Sequence, residues 1–489
     1  MNLLYLPWLE LSMATTLFGS MCVGRMRDPD RASLWGRSFT GLAFACTFLA
    51  WLAFYLRIPP DLVGRWSVQP YLFGRTVLGL DELNAPLVPA VALLHFLTAL
   101  ATARTMMRRF SFSWSLAAET IRIATFSCED PRVLVGLLVI ATVPPYLELL
   151  NRGRPTRVYA LHMGLFVVLL VAGWAAVESA GLDTPAPAWA IIPLLAAVLI
   201  RCGTVPAHCW VTDWLENASF GNALLFVTPL SGVYAAIRLI LPVGPDWVLQ
   251  FIGLISLTTA VYAAGMATVQ REARRFFAYL FLSHSALVMI GLELHTELSL
   301  TGSLCIWFSV ILSLGGFGLT LRALEARFGR LSLTEYHGLY EHSPTLAVCF
   351  MLTGLASVGF PGTLGYVSAE LLVDGAVEAN IYVGLAVVLA AAINGIAVLR
   401  AYFLLFTGAR HVATVSLEIT PRERFAVLTL AALILGGGLV PQPGVTSRHD
   451  AAEIILRDRE RILRPAVRGP AAKSGPPSHD PAEAGKHIL

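Results

Sequence analysis

VYALHMGLFVVLLVAGWAAVE (158–178) decides the fold class. From Val158 until Glu178 closes it, His162 alone interrupts an apolar run, and the run has the length of about 20 residues that a helix needs to cross a bilayer. Working outward by the same rule, comparable stretches recur near 3–22, 38–57, 84–103, 111–128, 132–149, 186–204, 219–241, 248–268, 275–292, 299–321, 343–363, 377–407 and 424–440, fourteen spans in all. The stretches 111–128 and 132–149 are short, and 377–407 must tilt, bend or extend past the lipid. Charged residues make up 14% of the chain, against about 25% in soluble domains. With 56% hydrophobic residues and a mean hydropathy of +0.68, most of the surface must face something other than water. Peptide groups in hydrocarbon have to satisfy themselves, so the expected class is an all-α, multi-pass transmembrane helical protein. The opening MNLLYLPWLELSMATTLFGSMCV (1–23) lacks a basic n-region and a small-residue cleavage site, and is read as a retained first span.

The charges sort by loop. Lys473 and Lys486 are the two lysines, both in the tail, and arginine supplies nearly all remaining positive charge. Arg25, Arg27, Arg31 and Arg37 form one group, followed by Arg104, Arg108 and Arg109, then Arg152, Arg154 and Arg157. Two more groups are Arg271, Arg274 and Arg275, and Arg322, Arg327 and Arg330. The loops holding Glu129 and Asp130, Glu178 and Asp183, and Glu293 and Glu297 lean acidic, whereas Asp81 and Glu82 share theirs with Arg65 and Arg75. Basic loops stay cytoplasmic, so an even span count places both termini outside. A net charge of +3 implies no nucleic-acid partner. The seven cysteines are scattered, without a CxxC pair, and read as core thiols. Gly436, Gly437 and Gly438 lack the Lys-Ser/Thr that follows a phosphate loop, so they read as helix-packing glycines. The tail 442–489 turns charged and Pro/Gly-rich, and is expected to be disordered after a short helix at 448–462.

A charge at the bilayer centre costs about 2.5 kcal/mol or more, so each interior ionisable group is a candidate site. Arg201 ends AWAIIPLLAAVLIR and precedes the helix-breaking Pro206; an interior ion path and snorkelling to the interface both fit it. His208, and His284 within YLFLSHSALVMIG, can exchange protons near neutral pH, although a structural interhelix bond would also retain His284. His162 has no acid at helical spacing in its own span. Glu119 has Arg122 at i+3, which allows either a proton acceptor or a self-neutralising pair. Glu148 is expected near the membrane edge, and Glu370 follows the Pro- and Gly-containing GFPGTLGYVSAE, as in a broken helix that lines a cavity. Arg400 is read as deep in 377–407, and Arg238 as an interior charge or an end-of-helix anchor.

At these residues the chain resembles the antiporter-like membrane subunits of proton-pumping NADH:quinone oxidoreductase (respiratory complex I) and of Mrp-type Na⁺/H⁺ antiporters. LGLDELNAPLV (78–88), VPAHCWVTDW (205–214), QREARRFFAYLFLSHSALVMIG (270–291) and GFPGTLGYVSAE (359–370) match family motifs in order, the third most specifically. The second motif retains Pro206, His208, Trp210 and Asp213 but has Thr212 for its second Pro. The resemblance implies about fourteen helices, inverted five-helix repeats with broken helices, and a buried row of Glu, Lys and His that carries protons. It implies N-terminal helices over 1–110, an antiporter-like core over 111–407 and a last span within 408–441.

Carried over by motif, Arg201 takes the place of a central Lys, His284 that of a relay His, and Arg400 falls near a late cationic position. Glu370 neighbours Ala369, where a Lys or Glu is usual. The departures are as informative: the family's Glu falls on Val139, a second Lys on Leu230, and a further ionisable position on Val310. The expectation is proton translocation, or exchange for a cation such as Na⁺, inside an assembly of other membrane subunits. The proton path would use Glu119, Arg201, His208, His284, Glu370 and Arg400, with His162, Asp213 and Arg238 secondary. No cofactor or metal is expected in this chain, so the driving energy would come from a partner. A non-pumping scaffold and a cation-coupled subunit of an inorganic-carbon uptake complex are the alternatives, and a quinone-handling subunit finds no redox constellation.

Overall fold

The computed structural model describes residues 5–59, 69, 74, 76–107, 110–182, 184–294, 296–408 and 419–463. Among them the regular elements are helices, with two isolated bridges joining Leu78 to Cys128 and Glu272 to Ser332. Helix α1 (Trp8–Gly24) turns into α2 (Pro29–Tyr55), where Asp28 caps the new helix and Pro29 occupies its first position. Then come α3 (Leu87–Leu100), α4 (Phe112–Phe126), α5 (Pro131–Ile140), α6 (Val143–Asn151), α7 (Arg157–Ala180) and α8 (Ala188–Cys202). Three short helices follow, α9 (Cys209–Asn217), α10 (Phe220–Val227) and α11 (Ser231–Ala235), the last running into a π turn at Ala236–Ile240. The remainder is α12 (Asp246–Val269), α13 (Ala273–Ile290), α14 (Glu297–Phe328), α15 (Pro344–Ser357), α16 (Leu364–Ala379), α17 (Ile381–Phe406), α18 (Pro421–Leu439) and α19 (Gln442–Leu463).

Where fourteen spans were expected, seven segments are by themselves long and apolar enough to cross a membrane: Pro29–Tyr55, Pro131–Asn151, Arg157–Ala180, Phe220–Ile240, Asp246–Val269, Glu297–Phe328 and Ile381–Phe406. The pair α18 and α19, bent by 79°, raises this to eight. The other apolar stretches form shorter helices, and several of them pair end to end across breaks. Helix α14 is the axis, apolar all round and buried along nearly its whole length under α3, α13, α15, α16, α18 and α19. Outward surfaces of α2, α7, α12 and α17 carry Leu, Val, Phe and Trp, as lipid contact requires.

The breaks lie where Pro and Gly interrupt apolar runs. Between α8 and α9, Gly203 takes a left-handed φ of 73°, and an added Cβ there would collide with the Val211 side chain. Pro206 follows it in the same break. Trp210 Nε1 reaches back to the Ile200 carbonyl at 2.8 Å, satisfying a group that the break releases. Between α10 and α11, Leu230 adopts a positive φ and Trp307 Nε1 donates to the Pro229 carbonyl at 3.0 Å. A third break separates α15 from α16 within the quoted GFPGT motif. Gly438 of α18 lies against the backbone of Gly362 and Thr363 there, close enough to leave no room for a Cβ.

Contacts sort the loops onto two faces. On one, Arg274 pairs with Glu325, Arg275 with Glu216, and Arg327 with Glu423, while Arg330 donates to the Glu216 carbonyl. On the other, Arg238 pairs with Asp81, and Arg132 with Glu178. Across this second face lies α19, part of the segment read as tail. It begins at Gln442, six residues before the expected short helix, and it is clamped rather than loose. Buried Arg448 donates to the carbonyls of Glu82 and Leu83, and Arg459 to those of Leu241 and Gly244. Residues 464–489, Arg65, Arg75, Arg108, Arg109 and Asp183 lie outside the described residues.

Candidate functional site

Three ionisable residues from α3 and α4 meet in the interior. His95 and Glu119 are both fully buried, with His95 Nδ1 3.9 Å from Glu119 Oε2, too far for a hydrogen bond. Arg122 Nη1 lies 2.9 Å from His95 Nε2. A guanidinium can only donate, so His95 Nε2 is the acceptor and Nδ1 carries the ring proton, on the side of Glu119. Of the two readings of Glu119, a hydrogen-bonded pair with Arg122 is not formed: Arg122 turns to the imidazole, and neither Glu119 oxygen has a hydrogen-bond partner among the described residues.

His95 and Arg122 border a cavity of about 40 Å³, lined also by Glu148, Arg201, Asn222, Phe226 and Ser231, while Glu119 lies behind the imidazole and outside its lining. About 10–15 Å³ holds one water, so it has room for a few. Two cations share the ring of Phe226 of α10: the Arg122 guanidinium lies 5.8 Å from its centroid and that of Arg201 lies 4.2 Å away. Arg201 is interior rather than snorkelling, is flanked by Trp210 at 5.5 Å, and donates from Nη2 to Ser231 Oγ at 2.8 Å. No carboxylate among the described residues lies within ion-pair distance of it, and its Nε is unpaired.

A second cavity of about 20 Å³ shares Arg201, Phe226 and Ser231 with the first and reaches Ser285 of α13. Beside Ser285, buried His284 is bracketed by two carbonyls, Leu280 at 2.7 Å from Nδ1 and Ser357 at 2.7 Å from Nε2. A neutral ring can donate to one of them; an imidazolium satisfies both. The neighbouring Ser283 donates to the Ala260 carbonyl and accepts from buried Asn394 at 2.8 Å. Polar groups thus succeed one another from α4 through α3, α8, α11 and α13 to the α15–α16 break and α17.

The remaining candidates stand apart from this row. His208, at the start of α9, is half-buried between Tyr262 and Tyr279, with ring centroids 5.4 and 6.1 Å away, and lines neither cavity. His162 bonds its own Val158 carbonyl, and Asp213 bonds Asn217 within α9. Arg238 is the end-of-helix anchor of the two readings, paired with Asp81. Arg400 is not deep: it reaches the carbonyls of Gln270 and Leu333 at 3.3 and 3.2 Å, capping the C-terminal end of α12 on the arginine-rich face. Glu370 is exposed on α16, in line with exposed Asp374 and Glu378. Glu148, which borders the first cavity, accepts with its carboxylate from Ser219 N and Asn222 Nδ2, each at 2.9 Å. Val139 is half-buried and apolar, and Val310 is fully buried.

The sequence reading passed over His95, although LVPAVALLHFLTAL (87–100) carries the same signal as the His284 helix, an imidazole in an apolar run. It also treated Arg322 as a loop charge; the guanidinium is buried, donating to the Thr98 carbonyl and Thr102 Oγ1.

The family described as NADH:quinone oxidoreductase/Mrp antiporter, TM, matches residues 159–394. The chain is 24% identical to NAD(P)H-quinone oxidoreductase chain 4 1 of a Nostoc species, over 96% of this chain and 94% of that one. Its fold is similar to a chain of respiratory complex I from Thermus thermophilus, with a TM-score of 0.80, 23% identity, and coverage of 92% and 99%. It is also similar to a chain of the Mrp complex from a Dietzia species, with a TM-score of 0.73, 18% identity, and coverage of 92% and 99%.

Proposed function

Because this chain belongs to the antiporter-like membrane-subunit family of NADH:quinone oxidoreductases and Mrp antiporters, we propose that it translocates protons, or exchanges them for a cation such as Na⁺, as one integral subunit of a larger inner-membrane assembly. The observation that carries this reading is the position of Arg201: buried, with no carboxylate at ion-pair distance among the described residues, and shared by two small cavities, one bordered by His95 and Arg122 and the other reaching Ser285, the chain neighbour of His284. Ionisable groups in hydrocarbon are costly, and a row of them along small cavities suits proton hopping through side chains and water. Arg201 does not release a proton, so it acts as a fixed charge that biases its neighbours. The driving energy comes from partner subunits, and the reading needs no redox cofactor in this chain.

The exposed acids of α16 support a multisubunit setting. Glu370, Asp374 and Glu378 follow one another at i, i+4 and i+8 on an outward face, among Tyr366 and Val377. Such a stripe is poorly placed against lipid and well placed against a polar or cationic neighbour. A non-pumping scaffold is the second reading, favoured by Val139 and Leu230, which are apolar where relatives' motifs carry charge.

The test is proton flux by the intact assembly reconstituted in tight vesicles. Arg201→Ala and His284→Ala are each expected to lower coupled flux at least about tenfold, the effect of about 1.4 kcal/mol on a barrier. Undiminished flux in both variants would hand the case to the scaffold.

A further inference from the structure

We propose that His95 and Glu119 bind the proton in transit on the N-terminal side of Arg201, and that Arg122 gates them by occupying His95 Nε2. This deepens the translocation reading and rests on it.

The argument begins with hydrogen-bond polarity. Arg122 donates to His95 Nε2 at 2.9 Å, which leaves the ring proton on Nδ1 and blocks the nitrogen through which a proton from the cavity would enter. Glu119 Oε2 lies on the far side of the ring, 3.9 Å from Nδ1, with both carboxyl oxygens unpaired and fully buried. A small rotation of either side chain closes that gap. When Arg122 withdraws, a proton delivered by cavity water binds Nε2 and the imidazolium releases its Nδ1 proton to the Glu119 carboxylate. One N–H bond forms at Nε2, the Nδ1–H bond breaks, an O–H bond forms on Glu119, and the neutral ring is left as the Nε2–H tautomer, which must lose that proton and regain one at Nδ1 before Arg122 can donate to it again.

The surroundings provide the force that moves the gate. Arg122 and Arg201 share the ring of Phe226 from opposite helices, so each repels the other through a space of few shielding groups. Facing the same cavity are Glu148 from α6 and Asn222 from α10, while buried Tyr159 of α7 packs on Phe226. Arg322 of α14 faces α3 one turn further on, at the Thr98 carbonyl. Glu148 is the carboxylate toward which a released Arg122 can swing, since it borders the same cavity. A change in the charge or hydration near Arg201 then reaches His95 through the guanidinium of Arg122.

The test uses the intact assembly in vesicles, with two readouts: coupled flux when driven, and passive proton leak at rest. Glu119→Gln, which keeps shape, and His95→Ala are expected to reduce coupled flux at least tenfold. Arg122→Met, which removes the donor, is expected to raise the resting leak severalfold, and Arg122→Lys to restore it toward wild type. Adding His95→Ala to Arg122→Met should abolish the leak, an outcome that mere loosening of the packing would not produce. A leak that survives without His95 overturns the gate, and wild-type flux in Glu119→Gln overturns the pair. If His95→Ala pumps normally while Arg201→Ala does not, the translocation reading stands and this assignment falls. If the wild-type assembly moves no protons, both fall together.

Discussion

Phe226 shows how much of the site is decided by single side chains. The guanidinium groups of Arg201 and Arg122 both lie over its ring, 4.2 and 5.8 Å from the centroid, a contact worth about 0.5–2 kcal/mol to each. Glu148 plays a comparable local part: it accepts from Ser219 N and Asn222 Nδ2, holding the turn that opens α10. Glu148→Ala leaves both donors without an acceptor and is expected to destabilise the chain by about 1–3 kcal/mol, read as a lower Tm of the detergent-solubilised assembly. An unchanged Tm would mean that water replaces the carboxylate at no cost. At this scale the sequence was half legible. Arg201 and His284 announce themselves as polar groups in apolar runs, and the same signal at His95 went unused because no family motif surrounds it. Arg400 misled because depth along a helix is not depth in a membrane; the helix extends past α12, and its arginine caps that neighbour's end.

At the scale of elements, the broken helices were well marked in the chain. Pro206 and the GFPGT motif each interrupt an apolar run and coincide with a break, whereas 219–241 reads as one span and is divided by the structure at Pro229 and Leu230. Helix α19 was legible as a short helix over 448–462 but not as a clamp, because its charges resemble those of a solvated tail. Arg448 and Arg459 make it a clamp: one guanidinium holds the loop before α3, the other the turn before α12. Arg448→Ala strands the carbonyls of Glu82 and Leu83 and frees the first turns of α19. Hydrogen exchange over 442–463 is expected to accelerate by at least about tenfold, the equivalent of about 1.4 kcal/mol of lost local stability. Protection equal to wild type would show that apolar packing on α14 suffices to hold the helix.

For the whole molecule, two arrangements stand out: a central row of polar groups across the bundle, and an acidic stripe on α16 that points outward. The stripe has meaning only if another subunit covers it. Reversing two of its charges, Glu370→Lys with Asp374→Lys, is expected to release the chain from its partners on purification while leaving it in the membrane; recovery of a complete assembly would place that face against lipid headgroups or solvent instead.

Sequence alone determined that this chain crosses a membrane as helices, that some of those helices break, and that few ionisable groups remain inside, because the costs of burying peptide groups and charge act along the chain and are readable there. It could not determine which of those groups meet. In helices apolar on nearly every side, such as α3 and α14, no amphipathic stripe reveals which way a side chain faces. The meeting of His95 with Arg122, the lack of an ion-pair partner for Arg201 among the described residues, and the outward turn of Glu370 follow from how the helices rotate and pack against partners distant in sequence, and tertiary structure alone decides that.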